Sequence, residues 1–510
     1  MQVVTGAEMR TLEKKAFADL GLSPLLVMEN AGSRVVKVLQ EKHGCLRGKR
    51  VHILAGTGNN GGDGLVAARQ LLTLGARIKV YLVGNQHKLS KENRTNFEIL
   101  RRLDVDFVAV EAGQSGKLKF SLGLADLIID AILGTGFSGS LHEELESLVA
   151  IVNEIQRPVV SIDCPTGVNS ANGEVLTSAI KAGLTISLGF LKAGCVLYPG
   201  KAYAGENLVV DLGFPLPHAG ISRFLLGPDT LSWLPIREPW SHKGTFGHTL
   251  VVAGSLNYAG AASLCGQAVL RGGGGRVTVA VPKGIYDRFR PDELIVMPVS
   301  QVEGGTIGQV SLEELQELTQ GKDVLALGPG LTRHPQALKV VQELLKGWNG
   351  PAVIDADALW ALTPEFLTTV SEAKRRQWIL TPHPGEMAFL VASEPQKVDA
   401  NRLEVAGEFA KKWGLVVVLK GAPTIIASAK TTYINSTGNH GLATAGSGDV
   451  LTGLVAAFLS QGLDPLQAGA VAVYAHGQAG DLAGLKGQRG LTASDCLWAV
   501  QFGQKLVLTV

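Results

Sequence analysis

The sequence has few cysteines, little charge and no long apolar runs, and each shortage excludes a class of protein. Its five cysteines (Cys45, Cys164, Cys195, Cys265 and Cys496) are odd in number, scattered, and never in a CxxC pair. That argues against a disulfide framework or a zinc site and fits a reducing compartment. Charged residues make up only 18% and the net charge is +2, with no block of Lys and Arg. DNA or RNA would find no electrostatic footprint, so a small polar ligand is the expected partner. The longest apolar runs are strand-length, and the opening MQVVTGAEMRTLEKKAF lacks the apolar stretch of a signal peptide. The expected setting is therefore cytoplasmic, without membrane or nucleic-acid partners.

What is present is glycine and apolar sequence: 63 glycines and 46% hydrophobic residues in 510. That length predicts two domains. The glycines gather after apolar runs, where strand-to-helix turns need positive φ or a close backbone approach, as in phosphate-binding loops. In the first half RVHILAG, RIKVYLVG, ADLIIDAI, PVVSIDCP and AGLTISLG alternate with helical stretches, which predicts a parallel sheet covered by helices. A Pro- and His-bearing segment from Phe214 to Pro239 marks the domain boundary. The alternation then restarts with HTLVVAGS, RVTVAVP, VLALGPG, AVIDADAL, WILTPHPG and LVVVLKGAPTIIAS, turning helical from Asp449 onward.

Three loops of the first half carry chemistry. Gly56-Thr57-Gly58-Asn59-Asn60-Gly61-Gly62-Asp63-Gly64 joins a strand to the helix LVAARQL, and unpaired N–H groups at such a helix start bind phosphate. The bland reading is a tight turn. Asp130 to Gly139 follows another strand, and Ser161 to Gly167 a third, so all three should meet at one sheet edge. Position alone leaves Asp163 open as a general acid/base or a turn-capping Asp. Asn60, Asp130 and Thr166 offer only oxygen and suit a weakly bound hard cation.

The runs LLVMENAG, GNNGGDGLVAAR, DAILGTGFSG and IDCPTGVN resemble, in order, the motifs of the NAD(P)HX epimerase (YjeF N-terminal) domain, over about residues 1–215. The resemblance implies a Rossmann-like three-layer fold. It implies that Asn59, Asn60, Gly61, Gly62, Asp63, Gly134, Thr135, Gly136, Phe137, Ser138, Gly139 and Ser140 hold the hydrated cofactor with Asp163. It also makes Asp163 catalytic and gives potassium to Asn60, Asp130 and Thr166. Cys164 and Thr166 stand where the family more often has an aliphatic residue and serine.

In the second half, Asn439 to Asp449 runs into the helix VLTGLVAAFLSQG; small residues there expose N–H groups to an anion, with a carboxylate beside them. Asp449 reads as a base that deprotonates a substrate hydroxyl during phosphoryl transfer, or as a helix cap. Lys420-Gly421-Ala422-Pro423-Thr424 suits a nucleotide phosphate or ribose, and Thr381 to Glu386 brings to one turn His383, a candidate substrate contact, and Glu386, a candidate helix cap. Gly328-Pro329-Gly330 and Asp355-Ala356-Asp357 end two more strands, the latter able to reach magnesium through water.

The set KGTFGHTLVVAGSLNYAGAASL, GPGL, DADAL, TPHPGEM, KGAPT and GLATAGSGDVLTG resembles the ribokinase-like NAD(P)HX dehydratase (YjeF C-terminal) domain, over about residues 225–510. The resemblance implies an α/β domain that uses ADP or ATP with Mg2+ to dehydrate the S hydrate of NADH or NADPH. It makes Asp449 the base, Ala445, Gly446, Ser447 and Gly448 the anion hole, Lys420 to Thr424 the nucleotide loop, and Ala261, Gly330 and His383 substrate contacts. A homo-oligomer is also implied. Trp360 replaces the usual Asn of that family's DADALN. Two rivals remain at this stage: a C-terminal small-molecule kinase, and an N-terminal module that only binds.

Overall fold

The computed structural model describes residues 1–110, 115–213, 220–289 and 293–503; residues 214–219 of the expected boundary segment lie outside them. The chain divides into two compact units, Met1–Ile221 and Ser222–Val510.

The first unit is built on seven parallel strands. In spatial order they are Asp106–Ala109, Arg77–Leu82, Arg50–Ala55, Leu127–Ala131, Val159–Ile162, Leu184–Leu188 and Glu206–Val210. Every residue of Leu127–Ala131, Val159–Ile162 and Leu184–Leu188 is buried, as a sheet covered on both faces requires. Helices Pro24–His43 and Asn59–Thr73 bury Val35, Leu39, Leu65 and Leu71 against one face, while Leu122, Leu145, Leu148 and Val152 cover Leu54 and Ile128 on the other. The strand order reverses between Arg50–Ala55 and Leu127–Ala131, the switch point where open α/β sheets bind ligands.

Helix Gly6–Leu20 begins with a capping box, in which the Glu8 N–H donates to Thr5 Oγ1 (3.2 Å) and the Thr5 N–H to Glu8 Oε2 (2.8 Å). Just before it, Val3–Val4 pairs in parallel with Leu191–Lys192, tying the start of this helix to Lys192.

The second unit has ten strands, in the order Arg223–Leu225, Thr432–Ile434, Ile425–Ala427, Val416–Leu419, Trp378–Leu380, Ala352–Ile354, Val324–Leu327, His248–Val252, Arg276–Pro282 and Ile295–Val299. All pairs are parallel except the two made by Ile425–Ala427. That strand follows Val416–Leu419 after a loop too short for a crossover, so it must run back. Helices Ala259–Arg271, Ser447–Ser460 and Pro465–Gly484 pack Cys265, Ala268, Leu454, Phe458 and Val471 into one core. Here the order reverses between His248–Val252 and Val324–Leu327. Among the described residues, no helix is long and apolar enough to cross a membrane.

Candidate active sites

A cavity of about 710 Å³ opens at the switch point of the first sheet, lined by Asn59, Asn60, Asp63, Gly134 to Ser138 and Asp163 among others. The three predicted loops therefore converge. Gly61 and Gly62 stand behind the lining instead: a Cβ on Gly61 would lie 1.9 Å from the Gly56 carbonyl, and one on Gly62 would meet Met28. Gly139 and Ser140 are exposed and do not line the cavity. The loop is clamped from behind by Asn93, fully buried, whose Nδ2 donates to the carbonyls of Gly56 (2.9 Å) and Gly58 (2.7 Å).

Asp163 ends its strand in the left-handed region, φ 70°, a conformation that costs a non-glycine residue of order 1–3 kcal/mol and is held by its surroundings. Its N–H donates to the Ile186 carbonyl (2.8 Å), and its carboxylate accepts the Leu188 N–H (3.2 Å). The same carboxylate is ion-paired with Lys192, which is wholly buried and also donates to the Leu188 carbonyl (2.6 Å). Nearby, burial drives the Asp63 carboxyl well above the usual carboxylate range, helped by the charges of Asp163 and Glu13.

Asp130 is fully buried beneath the loops. It accepts hydrogen bonds from Thr166 Oγ1 (2.7 Å), the Thr166 N–H (2.9 Å) and Ser161 Oγ (2.8 Å), while burial raises its pKa. Asn60 Nδ2 donates to the Leu133 carbonyl (3.1 Å), and the Leu133 N–H donates to Thr166 Oγ1 (3.1 Å). Asn60 Oδ1 is buried without a hydrogen-bond partner. The three predicted cation ligands thus surround one stretch of backbone.

In the second unit, Asp449 lies in the first turn of helix Ser447–Ser460, whose N-cap Gly446 adopts φ 86° and offers no side chain to the free N–H groups. Burial, then the charge of Asp355, pushes the Asp449 carboxyl up to about 7 against the pull of Lys420. Lys420 is not a solvated surface lysine. Its ammonium pairs with Asp355 Oδ1 at 2.6 Å and faces Glu386 Oε2 at 3.8 Å, and a Cβ on Gly448 would lie 3.4 Å from it. Burial works against its charge, yet Asp355, Glu386 and Asp449 together hold its pKa above the usual value.

Asp355 is turned inward, 1% exposed, with its second oxygen accepting from Thr452 Oγ1 at 2.6 Å. It anchors Lys420, where the DAD motif was expected to face a water-bound magnesium. Its companion Asp357 accepts the Thr332 N–H (2.9 Å). The predicted contacts Ala261 and Gly330 are neighbours across the switch point, since a Cβ on Gly330 would meet that of Ala261 at 3.2 Å. His383 caps helix Pro384–Leu390, its Nδ1 accepting from the Gly385 (3.0 Å) and Glu386 (3.3 Å) N–H groups, and burial with Lys420's charge lowers its pKa. Glu386 reciprocates, accepting the His383 N–H at 2.8 Å, and burial raises it to about 7. Trp360, where the resemblance put Asn, stacks on Phe389 (4.1 Å) beneath the Arg333 guanidinium (3.8 Å).

Sequence reasoning missed Glu13, Asn93, Lys192 and Arg402. Buried Arg402 pairs with Asp399 and donates to the carbonyls of Leu419 (3.1 Å), Lys420 (2.7 Å) and Pro423 (3.2 Å), fixing the Lys420–Thr424 turn. None of the four sits in a glycine-rich run, so no local signal marked them.

Comparison with known proteins gives two family profiles. One described as YjeF-related protein N-terminus matches residues 25–194, and one described as NAD(P)H-hydrate dehydratase matches residues 249–501. The bifunctional NAD(P)H-hydrate repair enzyme Nnr of Moorella thermoacetica is 40% identical over 98% of this chain and 95% of its own length. The enzyme of the same name from Thermofilum pendens is 36% identical over 97% of this chain and 94% of its own. A solved structure, the ADP/ATP-dependent NAD(P)H-hydrate dehydratase of Bacillus subtilis co-crystallised with ATP and Mg2+, is 28% identical, with a TM-score of 0.48 over 57% of this chain and all of that one. With these full-length relatives, the chain belongs to the family of bifunctional NAD(P)H-hydrate repair enzymes.

Proposed function

We propose that the first unit interconverts the R and S hydrates of NADH and NADPH, and that the second dehydrates the S hydrate at the expense of ADP or ATP. The observation that carries this reading is Asp449: a carboxyl held near 7, in the first turn of a helix with free N–H groups, within the field of the Lys420 ammonium. Such a carboxylate takes the proton of the hydrate's C6 hydroxyl as that oxygen attacks the terminal phosphoryl group, and AMP or ADP departs with the electrons of the broken P–O bond. Lys420 and the N–H groups at Gly446 to Gly448 balance the charge that develops. Phosphate then leaves C6 with its bonding electrons, the ring nitrogen supplies a C=N bond, and loss of a C5 proton restores the dihydronicotinamide.

In the first unit, C6 is a hemiaminal carbon, so its configuration inverts when the hydroxyl leaves and water returns from the other face. Asp163, fixed by Lys192, is the group that handles the proton of that water. The orphaned Asn60 Oδ1, with the Asp130 carboxylate and Thr166 Oγ1, is an all-oxygen donor set that fits potassium. Bound there, potassium would supply positive charge beneath the loops that cradle the cofactor. Asp357, whose carboxylate accepts the Thr332 N–H at a strand end, would help to hold magnesium arriving on the nucleotide, which leaves Asp449 free to act as the base.

The test is absorbance at 340 nm on mixed R and S NADH hydrate with magnesium and either ADP or ATP. Complete recovery of the absorbance is expected, with release of inorganic phosphate. Recovery that stops at the S fraction leaves the first unit a binding module, and a stable phosphorylated product makes the second unit a kinase.

A further inference from the structure

Inverting C6 breaks and remakes one C–O bond, which calls for an acid to protonate the departing oxygen as well as a base for the arriving water. Asp163, committed to Lys192, serves as the base. Besides Asp163 and Asp63, the cavity holds a third carboxyl, that of Glu13, which the sequence motifs do not include. Helix Gly6–Leu20 turns Arg10, Glu13 and Phe17, one helical turn apart, into the cavity that Asp163 and Lys192 line.

The helix is fixed there at three points. Its first turn is capped by Thr5, the preceding Val3–Val4 pairs with Leu191–Lys192, and Arg10 Nη1 donates to the Thr135 carbonyl of the second loop at 2.9 Å.

We propose that Glu13 is the acid of this site, working with Asp163 on the two sides of the epimerisation; the inference rests on the epimerase reading above. Glu13 is only partly exposed, and the groups that face it are Asp63, Asp163, Lys192 and Arg10, with His142 on the same cavity wall. Burial, then the negative charge of Asp163, pushes it up to about 7, so a large share of the protein carries a proton on Glu13 at neutral pH. A carboxyl that carries a proton and a lysine-paired carboxylate lining one cavity make an acid and base pair.

The step balances without a cosubstrate. Glu13 gives its proton to the C6 hydroxyl, the C6–O bond breaks, and water leaves with the electron pair. The lone pair of the ring nitrogen forms C6=N1, a water adds to the other face, and its proton passes to Asp163. Solvent in the cavity then returns both carboxyls to their starting states.

The experiment separates R and S hydrates chromatographically, subtracts the spontaneous rate, and uses the full chain. Glu13→Gln is expected to lower kcat for epimerisation by about 10²-fold or more, to abolish the fall in rate above pH 7, and to leave KM and the dehydration of pure S hydrate unchanged. Glu13→Asp, which keeps the acid and moves it, is expected to shift that high-pH limb. A Glu13→Gln enzyme with wild-type kcat, or with only KM raised, overturns the proposal, as does an unmoved limb in Glu13→Asp should the Gln variant not fold. Asp163→Asn separates the two levels: if it abolishes epimerisation while Glu13→Gln does not, this inference alone fails. If Asp163→Asn is also fully active, the epimerase reading fails and takes this inference with it.

Discussion

Replacing Lys192 by Met is expected to unfold the first unit early and spare the second. The lysine is wholly buried, its ammonium lodged between the Asp163 carboxylate and the Leu188 carbonyl. Methionine fills a similar volume but leaves Asp163, 7% exposed, without its cation. Stranding one half of a buried ion pair costs about 3–5 kcal/mol. In a unit that ends at Ile221, each kcal/mol moves the melting temperature by about 2–4 °C, so a drop of roughly 6–20 °C is expected. The assay is built into the sequence: all seven tryptophans, from Trp233 to Trp498, lie beyond Ile221. Far-UV circular dichroism follows both units, whereas tryptophan emission follows only the second. The variant should gain an early dichroism transition while its emission midpoint stays put, and epimerisation should be lost with dehydration intact. Adding Asp163→Asn removes the stranded charge and should recover most of the loss. A first transition within about 2 °C of wild type refutes the reasoning. A double variant as unstable as the single one does so too, because it assigns the loss to packing.

Asp449→Asn is expected to slow dehydration by about 10²-fold or more at pH 8 without touching epimerisation. In the wild type, dehydration should fall as the pH drops below about 7 and the base takes its proton. The same raised pKa means that the folded state holds this proton more tightly than the unfolded chain does, so stability declines as the pH climbs from the usual carboxylate range to about 7. Asp449→Asn should therefore melt higher than wild type at pH 8 and no higher at pH 4, by tryptophan emission. Arg402→Met should raise KM for the nucleotide far more than KM for the hydrate, and cost about 1–3 kcal/mol for each of its three carbonyl partners left dry, read by urea unfolding. Asp355→Asn removes a charge that raises the Asp449 pKa and frees Lys420 to approach Asp449, so the low-pH limb of dehydration should move to lower pH; an unmoved limb would contradict the network.

The strands legible in the sequence are those buried on both faces, such as Leu127–Ala131 and Val324–Leu327, because continuous burial writes an unbroken apolar run. Asp106–Ala109 and Arg223–Leu225 are edge strands without a fully buried residue, and their mixed composition carries no such signature. The same division runs through the sites. Asn60, Asp130, Asp163 and Asp449 were legible because they end or follow strands or start helices, where backbone geometry demands glycine and small residues nearby. Lys192 and Glu13 reach the first cavity through the pairing of Val3–Val4 with Leu191–Lys192, a contact between residues about 190 apart in the chain that leaves no local pattern. Lys420 was legible as a cation in a turn, but its partial burial and its bond to Asp355 depend on separate strand ends meeting.

Each site holds one lysine, fully buried in the first and half-buried in the second, and its wiring decides what the neighbouring acid can do. In the first unit Lys192 binds Asp163 directly, so its charge goes to the acid expected to act as base, and the proton donor must be found elsewhere in the cavity. In the second unit Lys420 is bound instead to Asp355, which Thr452 also holds, and Asp449 receives only the lysine's field. That field is weaker than burial and the charge of Asp355 combined, which is why Asp449 titrates near neutrality. A carboxylate with such a pKa is a stronger base than an ordinary one, and removing the proton of an alcohol during phosphoryl transfer needs that strength. Epimerisation of a hemiaminal asks less of its base, because the C6=N1 carbon that the water attacks is strongly electrophilic. The direct pair therefore suits the first site and the indirect one the second.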